Sequence, residues 1–458
     1  MKYEDLISRK LARFSPVGFE YLCKSPHLFD FQRALVEWAT RIGRAAIFAD
    51  TGLGKTRMQL QWADAVARKT GGSVLILAPL AVADQTCEEG AIMGVAVNHL
   101  RDTALIDGIC ITNYERLHKF DVDGLAGVVL DESSCIKHHD AKTFTRLTEA
   151  FRDVPYKLCA TATPAPNDWT ELGTHAEFLG VCSRAEMLAE FFIHDAAKTQ
   201  DWRLKGHAKQ EFWRWVASWG CVVRNPGDIG FDGSKYDLPD LRVNQHTVVV
   251  EKVAPDGQLF QLEASSLSER RDARRNSIDA RVQKCADKVN ADRQPWVVWC
   301  ELNAESDALV KAIDGAIEVR GSQTLEEKEK ALSDFAHGRV RVLVTKPSIA
   351  GFGLNWQHCA RMAFVGVTDS YESYYQAVRR CWRFGQTRSV HVHVFASDLE
   401  GSVVSNLQRK DDIAKEMAKE MAAHTADAVR HNLSGLGRWS NEYNDGQSVK
   451  IPRFICAA

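Results

Sequence analysis

A glycine-containing turn near the start of the chain has the residue types that bind phosphate. Residues 49–56 read Ala-Asp-Thr-Gly-Leu-Gly-Lys-Thr and stand between an apolar run and a helical pattern. At such a strand-to-helix junction, backbone N–H groups point at a bound anion. Lys55 would then reach the β- and γ-phosphates of a nucleotide, and the Thr56 hydroxyl would hold Mg²⁺. The predicted cofactor ligands of this turn are Thr51, Gly52, Gly54, Lys55 and Thr56.

Two adjacent carboxylates follow a later apolar run. Residues 128–130 lead into Asp131 and Glu132, and alternation along a strand would point the two side chains in different directions. One carboxylate can then hold a metal ion while the other polarises an attacking water. We assign Asp131 to Mg²⁺ and Glu132 to the water. The alternative, a solvated strand end, is weakened by the phosphate-binding turn upstream.

Composition bounds the class of protein. The chain has 458 residues, of which 45% are hydrophobic, 26% charged and 9% aromatic, values typical of a folded globular protein. Its net charge of −2 requires any nucleic-acid binding to come from local clusters. The apolar stretches are far shorter than the roughly 20 residues of a membrane helix, and the polar start lacks a secretory signal. We expect no membrane association and a cytoplasmic location. The 12 cysteines form no C-x-x-C pair and are expected to be reduced thiols.

Short apolar runs alternate with helical patterns in two parts of the chain. Such continuous runs are typical of parallel strands that helices cover on both faces. The sequence therefore predicts an α/β protein of two lobes with mostly parallel sheets. The runs are 45–49, 74–78, 109–112, 128–130 and 157–160 in the first lobe, and 296–300, 317–319, 341–344, 361–365 and 390–395 in the second.

Between the apolar runs of the two lobes, the alternation of strands and helices stops, and residues typical of turns cluster at 225–233. These signals predict the linker between the lobes. The predicted units are an N-terminal segment over 1–25, lobe one over 26–225 with a helical extension from about 168, a linker over 226–245, lobe two over 246–400 with a helical lead-in, and a C-terminal helix and tail over 401–458.

The order of motifs resembles that of superfamily two helicases and translocases, in particular the Swi/Snf-like ATPases and their viral and prophage relatives with DEAD or DEAH boxes. The similar stretches are 50–56 for motif I, 131–134 for the acidic box, 161–167 for motif III, 350–355 for motif V and 376–386 for motif VI. The resemblance covers about residues 26–396. It implies two tandem RecA-like lobes with an ATP cleft between them, and a C-terminal helical tail.

The resemblance also assigns roles to single residues. Arg380 and Arg383 match the two arginines of motif VI, and their spacing predicts one helix face from which both reach the γ-phosphate on lobe closure. Gln32 resembles the adenine-reading glutamine, and Phe29 or Phe31 could stack on the base. The other assigned residues are Gly353 and Asn355 for the cofactor, Thr161, Thr163 and Gln376 for coupling hydrolysis to movement, and Pro79, Thr112, Asn113, Gly321 and Ser322 for the nucleic-acid backbone.

Some positions depart from the family pattern. Ser134 stands where the acidic box usually has histidine, so a weaker hydroxyl contact is expected to replace the imidazole link to motif III. Arg379 replaces a smaller or acidic residue before the first arginine. The basic stretch 269–288 either lines a DNA path or forms a solvated helix face.

Together these features predict an ATP-dependent motor, either a DNA helicase or a double-stranded DNA translocase. Duplex or branched DNA is preferred over RNA because residues 383–386 resemble the DNA translocase branch. The alternatives are an RNA helicase, a motor subunit of a restriction or repair complex, and a nucleotide-regulated scaffold. A viral role would imply the host cytoplasm and replication, recombination or restriction proteins as partners.

Overall fold

The computed structural model describes residues 16–79, 82–101, 107–166, 168–194, 202–248, 275, 277–350, 355–366 and 370–398, together with parts of 405–423 that are helical. The predicted features that lie wholly or partly outside these residues include the N-terminal segment, motifs III and V with Gly353, positions 269–274 and 276 of the basic stretch, and the tail after residue 423. Within the described part of the chain, no helix is long and apolar enough to cross a bilayer.

Lobe one is built on a seven-stranded parallel sheet with the strand order β3-β4-β2-β5-β6-β1-β9. The strands are β1 (Arg44–Ala49), β2 (Val74–Ala78), β3 (Val97–His99), β4 (Ile109–Asn113), β5 (Gly127–Asp131), β6 (Tyr156–Ala160) and β9 (Gly220–Val223). A separate antiparallel hairpin pairs β7 (Phe192–His194) with β8 (Trp202–Leu204). The helices are α1 (Asp30–Ile42), α2 (Lys55–Thr70), α3 (Ala83–Met93), α4 (Lys142–Ala150), α5 (Leu172–Leu179), α6 (Arg184–Phe191) and α7 (Lys209–Ala217).

Lobe two repeats this plan with six parallel strands in the order β10-β15-β14-β11-β13-β12. The strands are β10 (Leu241–Val248), β11 (Trp296–Cys300), β12 (Ala316–Val319), β13 (Val342–Thr345), β14 (Arg361–Val365) and β15 (Val390–Ser397). The helices are α8 (Ile278–Asn290), α9 (Asn303–Ala312), α10 (Leu325–Ala336), α11 (Pro347–Ala350) and α12 (Tyr371–Val378).

Each sheet has a hydrophobic core on both of its faces, which explains the continuous apolar runs. In β1, Ala46 and Phe48 enter one core, whereas Ala45 and Ile47 enter the other. Strands β2, β4 and β5 are buried along their whole length. The prediction of a two-lobed α/β protein with parallel sheets is therefore confirmed.

The apolar runs of the sequence predict neither β3 nor β9 nor β10. Strand β3 is only partly buried, and β10 alternates between exposed and half-buried residues at the edge of its sheet. Because β10 begins at Leu241, it starts inside the stretch 226–245 predicted as the linker. Strand β9 pairs with β1 at the end of the predicted helical extension.

Lobe two contains a fully buried ion pair. Arg281 of α8 and Glu305 of α9 are both 0% exposed, with Nη2 and Oε1 2.9 Å apart. Glu305 Oε2 also accepts the backbone N–H groups of Glu301 and Leu302. Gly366 has φ +83°, and a Cβ there would lie 2.6 Å from Glu305 Oε1. The basic stretch thus contributes Arg281 to the interior and not to a solvated face.

We expect Gly366→Ala to lower the free energy of unfolding by about 3–5 kcal/mol, the cost of disturbing a buried ion pair. Gly315→Ala is the matched control, since Gly315 has φ +68° but a Cβ there would meet no atom within 4 Å. This variant should lose only about 1–2 kcal/mol of unfolding free energy. Urea denaturation followed by tryptophan fluorescence measures both. Equal losses would contradict the steric role of the ion pair.

Candidate active site

The predicted phosphate-binding turn joins β1 to α2. Gly52 and Gly54 adopt φ +90° and +79°, a left-handed conformation that glycine reaches without steric cost. The turn leaves the N-terminus of α2, which begins at Lys55, open to an anion. Lys55 Nζ donates to the Ala49 carbonyl at 3.0 Å, so its ammonium lies across the mouth of the turn.

Close packing explains why neither glycine can carry a side chain. A Cβ at Gly54 would lie 2.3 Å from Gln32 Nε2, and a Cβ at Gly52 would lie 2.9 Å from Phe384 Cβ of lobe two. The turn is therefore enclosed on one side by α1 and on the other by the second lobe.

The two carboxylates lie at the carboxyl end of β5. Asp131 is its last residue, and its Oδ1 accepts from Gln59 Nε2 at 2.6 Å. Burial, together with the neighbouring charge of Glu132, raises the pKa of Asp131 to about 6. Glu132 has φ 52° and is the only non-glycine residue of the described ranges with positive φ. Its departure from the strand, and not strand alternation, directs the two side chains apart.

Motif III contacts the acidic box directly. Thr161 Oγ1 donates to Glu132 Oε2 at 3.2 Å and accepts the N–H of Thr163 at 3.1 Å. Thr163 is buried, and its hydroxyl has no partner among the described residues. The link between the two motifs is therefore made by the hydroxyl of Thr161 in motif III and the carboxylate of Glu132.

A histidine that sequence reasoning missed contacts the box. His175 of α5 has Nε2 3.1 Å from Ser133 Oγ. Burial lowers the pKa of His175 to about 4, so the ring is neutral. An imidazole therefore contacts the acidic box, but it comes from α5 and meets Ser133, whereas the sequence leads one to expect a contact from Ser134 to motif III. A lone histidine in an apolar helix gives no sequence signal for this contact.

The side chain of Gln32 ties α1 to the phosphate-binding turn. Its Nε2 donates to the Leu53 carbonyl at 2.8 Å, and its Oε1 accepts the Phe29 N–H at 2.9 Å. Phe31 is buried, whereas Phe29 is 52% exposed. Of the two aromatic residues proposed to stack on a base, Phe29 is the accessible one.

Two further aromatic rings extend the wall beside Phe29. Tyr236 lies edge to face with Phe29 at 6.2 Å and stacks on Phe384 at 4.7 Å. Tyr236 belongs to the segment between the lobes and Phe384 to lobe two. This aromatic wall is therefore formed by three parts of the chain.

The two arginines of motif VI do not share a helix face. Helix α12 ends at Val378, and the N–H groups of Arg380 and Cys381 donate to carbonyls three residues earlier. Such tight bonds replace the α-helical ladder in a terminal turn. Arg380 and Arg383 therefore lie on the turn after α12, residues 379–386, which we call the arginine turn.

The turn after α12 places two largely buried guanidinium groups, those of Arg380 and Arg383, close together. Arg380 Nη2 donates to Gln376 Oε1 at 3.0 Å. Burial, with the adjacent charge of Arg383, lowers the pKa of Arg380 to about 10, and burial likewise lowers that of Arg383 to about 10. Both arginines remain positively charged at neutral pH. The negative charge of Glu132 in lobe one acts across the cleft to offset part of the lowering of the Arg380 pKa. An anion in the cleft would be attracted to both arginines.

Polar contacts join the lobes beside these groups. Arg379 forms an ion pair with Asp50, the residue that follows β1, and Tyr375 Oη donates to Asp50 Oδ1 at 2.5 Å. Lys137, which lies after the acidic box, forms an ion pair with Glu372 of α12. The arginine turn is thus held against the phosphate-binding turn.

The predicted nucleic-acid contacts differ in accessibility. Pro79 follows β2, and Gly321 and Ser322 form an exposed turn after β12. Thr112 is fully buried and donates to the Leu100 carbonyl at 3.0 Å, so its hydroxyl does not face a polymer. Asn113 is buried and accepts the Arg116 N–H.

Motif V is described only at its end. Asn355 is exposed, and the next residue, Trp356, donates its N–H to the Arg380 carbonyl at 2.9 Å. Asn355 therefore adjoins the arginine turn, whereas Gly353 lies outside the described residues.

Comparison with known proteins agrees with this geometry for lobe two. Residues 283–385, which include both arginines, match the helicase conserved C-terminal domain. Lobe two is therefore similar to a helicase C-terminal domain over these residues. A solved structure of S. cerevisiae Dbp5 bound to RNA and ADP BeF3 is similar, with a TM-score of 0.49 and 12% identity over 82% of this chain and 89% of that one. No curated protein matches the chain.

We expect Asp131→Asn to raise the thermal unfolding temperature at pH 8 in buffer without nucleotide or divalent cation. Because the pKa of Asp131 is raised from 3.8 to about 6, the folded protein loses stability as the pH rises between these two values, where the carboxyl is ionised in the unfolded chain but still protonated in the folded one. The gain should be roughly 2–4 °C per kcal/mol recovered, and it should be about half as large at pH 5 as at pH 8. A gain of equal size at both pH values would contradict this account.

Proposed function

We propose that the protein is a DNA helicase or double-stranded DNA translocase driven by ATP, of the Swi/Snf-like branch with viral or prophage relatives. The observation that supports this most strongly is the position of the helicase C-terminal domain's arginine turn. It lies against the phosphate-binding turn of lobe one, with Phe384 beside Gly52 and Arg379 paired with Asp50. One site therefore draws charged groups from both lobes.

The residues present fit ATP with Mg²⁺. Asp131 is a buried carboxylate whose ionised form is disfavoured by burial and by Glu132, so a divalent cation would stabilise it. Thr56 would supply a hydroxyl ligand beside it. When bound, Mg²⁺ would neutralise phosphate charge, while Lys55 binds the β- and γ-phosphates, and Gln32, Thr51, Gly52 and Gly54 form the surrounding walls. Asn355, beside the arginine turn, would approach from lobe two, as would Gly353.

Hydrolysis then depends on the positions of four side chains. Glu132 accepts a proton from the attacking water. Thr161 donates to Glu132 and holds the carboxylate in one orientation. Arg380 and Arg383 stabilise the charge that develops on the transferred phosphoryl group, an effect worth about 10³–10⁵ in rate for arginine fingers.

Two buried polar groups would couple ATP hydrolysis to movement of the lobes. Thr163 Oγ1 in lobe one and Gln376 Nε2 in lobe two are buried without a hydrogen-bond partner among the described residues. Buried polar groups are normally paired. We infer that both gain partners when nucleotide and polymer rearrange the cleft. Because Gln376 also holds Arg380, a change at Gln376 reaches the arginine turn.

Nucleic acid would lie across both lobes, gripped mainly by its phosphates. The exposed turn at Gly321 and Ser322 suits close approach to a backbone, as does Pro79. DNA, duplex or branched, is the preferred substrate because residues 383–386 resemble the DNA translocase branch. RNA is the alternative. Such a motor would work in the cytoplasm, with replication, recombination or restriction proteins as possible partners.

We expect ATP hydrolysis by the purified chain to be stimulated by duplex DNA, and the stimulation to weaken as salt rises because phosphate contacts release counterions. Steady-state rates are measured without polymer and with duplex DNA, single-stranded DNA or RNA, and Lys55→Ala serves as the blank. Stimulation by RNA alone would favour an RNA helicase. If no polymer raises the rate above the blank, the motor proposal fails.

A further inference from the structure

Asp50, Tyr375 and Arg379 form an interlobe polar cluster that the assigned motifs do not explain. We propose that Arg379 is a positioning residue. Through Asp50 it fixes the turn that carries Arg380 and Arg383 against the phosphate-binding turn. The inference rests on the proposed function, since it concerns how the same site is assembled.

The three side chains form a closed set of contacts across the cleft. Arg379 forms an ion pair with Asp50 Oδ2, and its Nε donates to Tyr375 Oη at 3.1 Å. Tyr375 Oη in turn donates to Asp50 Oδ1 at 2.5 Å. Both carboxylate oxygens are thus held by lobe two.

Each end of the cluster reaches a part of the catalytic machinery. Asp50 Oδ1 accepts the N–H of Thr51 at 2.7 Å, the first amide of the phosphate-binding turn. Arg379 Nη1 donates to the Trp382 carbonyl at 3.2 Å, and its guanidinium lies 4.6 Å from the Trp382 ring. Arg379 and Trp382 directly precede Arg380 and Arg383, so one side chain braces the whole turn.

Burial makes the cluster a strong constraint. The side chains of Arg379 and Asp50 are 3% and 12% exposed, and a buried charge that loses its partner is costly. Burial lowers the pKa of Arg379, but the charge of Asp50 and the contacts with Tyr375 together outweigh burial and leave that pKa raised. The resemblance leads one to expect a smaller or an acidic residue at position 379. A smaller residue would leave Asp50 without this ion pair and an acidic one would repel it, whereas Arg379 binds it.

Phe384 packs against Gly52 of the phosphate-binding turn but brings no charge to it, and the other polar contacts described above do not join the two turns. The ion pair of Lys137 with Glu372 joins the first turn of α12 and does not touch the arginine turn. The hydrogen bonds between Arg380 and Gln376 lie within lobe two. Arg379 is therefore the side chain through which the arginine turn forms an ion pair with the phosphate-binding turn.

The test compares Arg379→Gln, Arg379→Lys and Tyr375→Phe with wild type in steady-state ATP hydrolysis. We expect Arg379→Gln to lower kcat about 10²-fold, the size of effect that a small misplacement of catalytic groups produces, with the KM for ATP unchanged. Arg379→Lys, which keeps the charge, should recover part of kcat. Tyr375→Phe, which removes only a hydroxyl, should give an intermediate loss. The matched control is Arg242→Ala, because Arg242 pairs with Asp240 on an exposed surface.

Amide hydrogen exchange supplies a readout independent of turnover. Peptides covering residues 50–56 and 379–386 should exchange faster in Arg379→Gln than in Arg242→Ala. A double variant with Asp50→Asn should lose no more kcat than Arg379→Gln alone, since both changes break one interaction. Unchanged exchange together with a kcat equal to that of the control would overturn the inference. If wild type hydrolyses no ATP, the proposed function fails, whereas the exchange comparison still decides whether Arg379 positions the two turns.

Discussion

The carboxyl ends of parallel strands meet at one edge of a sheet, and the site depends on this constraint. In lobe one, β1, β5 and β6 end at Ala49, Asp131 and Ala160, and they deliver the phosphate-binding turn, the acidic box and Thr161 to the same edge. Helices must cover both faces to bury such a sheet, which forces the apolar runs visible in the sequence. Lobe two supplies the opposite wall, so the chemistry is divided between two rigid supports.

Several residues of the site have locally unfavourable conformations or charges. Asp131 is a buried acid whose charge is disfavoured, and Glu132 has a left-handed backbone, which costs on the order of 1–3 kcal/mol. Three arginines lie close together after α12. Each of these features is costly for folding. The ion pair of Arg379 with Asp50 offsets part of the repulsion among the arginines and joins the turn after α12 to the phosphate-binding turn.

Much of the fold could be predicted because its central strands are buried on both faces, as the runs around Val128 and Trp296 show. The chemical residues could be found because they directly follow those runs. The exposed edge strand β10 lacks such a run, and the end of α12 at Val378 depends on terminal hydrogen bonds that spacing alone does not reveal. The contacts of His175 with Ser133 and of Arg379 with Asp50 join residues far apart in sequence, so only the packed lobes bring them together.

The central claim is that lobe one binds the nucleotide and lobe two completes the site for hydrolysis. Its most direct test is Arg383→Ala, with ATP affinity and single-turnover hydrolysis measured on the same preparation and Arg242→Ala as the control. The account predicts that ATP affinity stays close to that of wild type while the hydrolysis rate falls by about 10³-fold or more. A hydrolysis rate equal to that of the control would show that the arginine turn of lobe two takes no part in the chemistry.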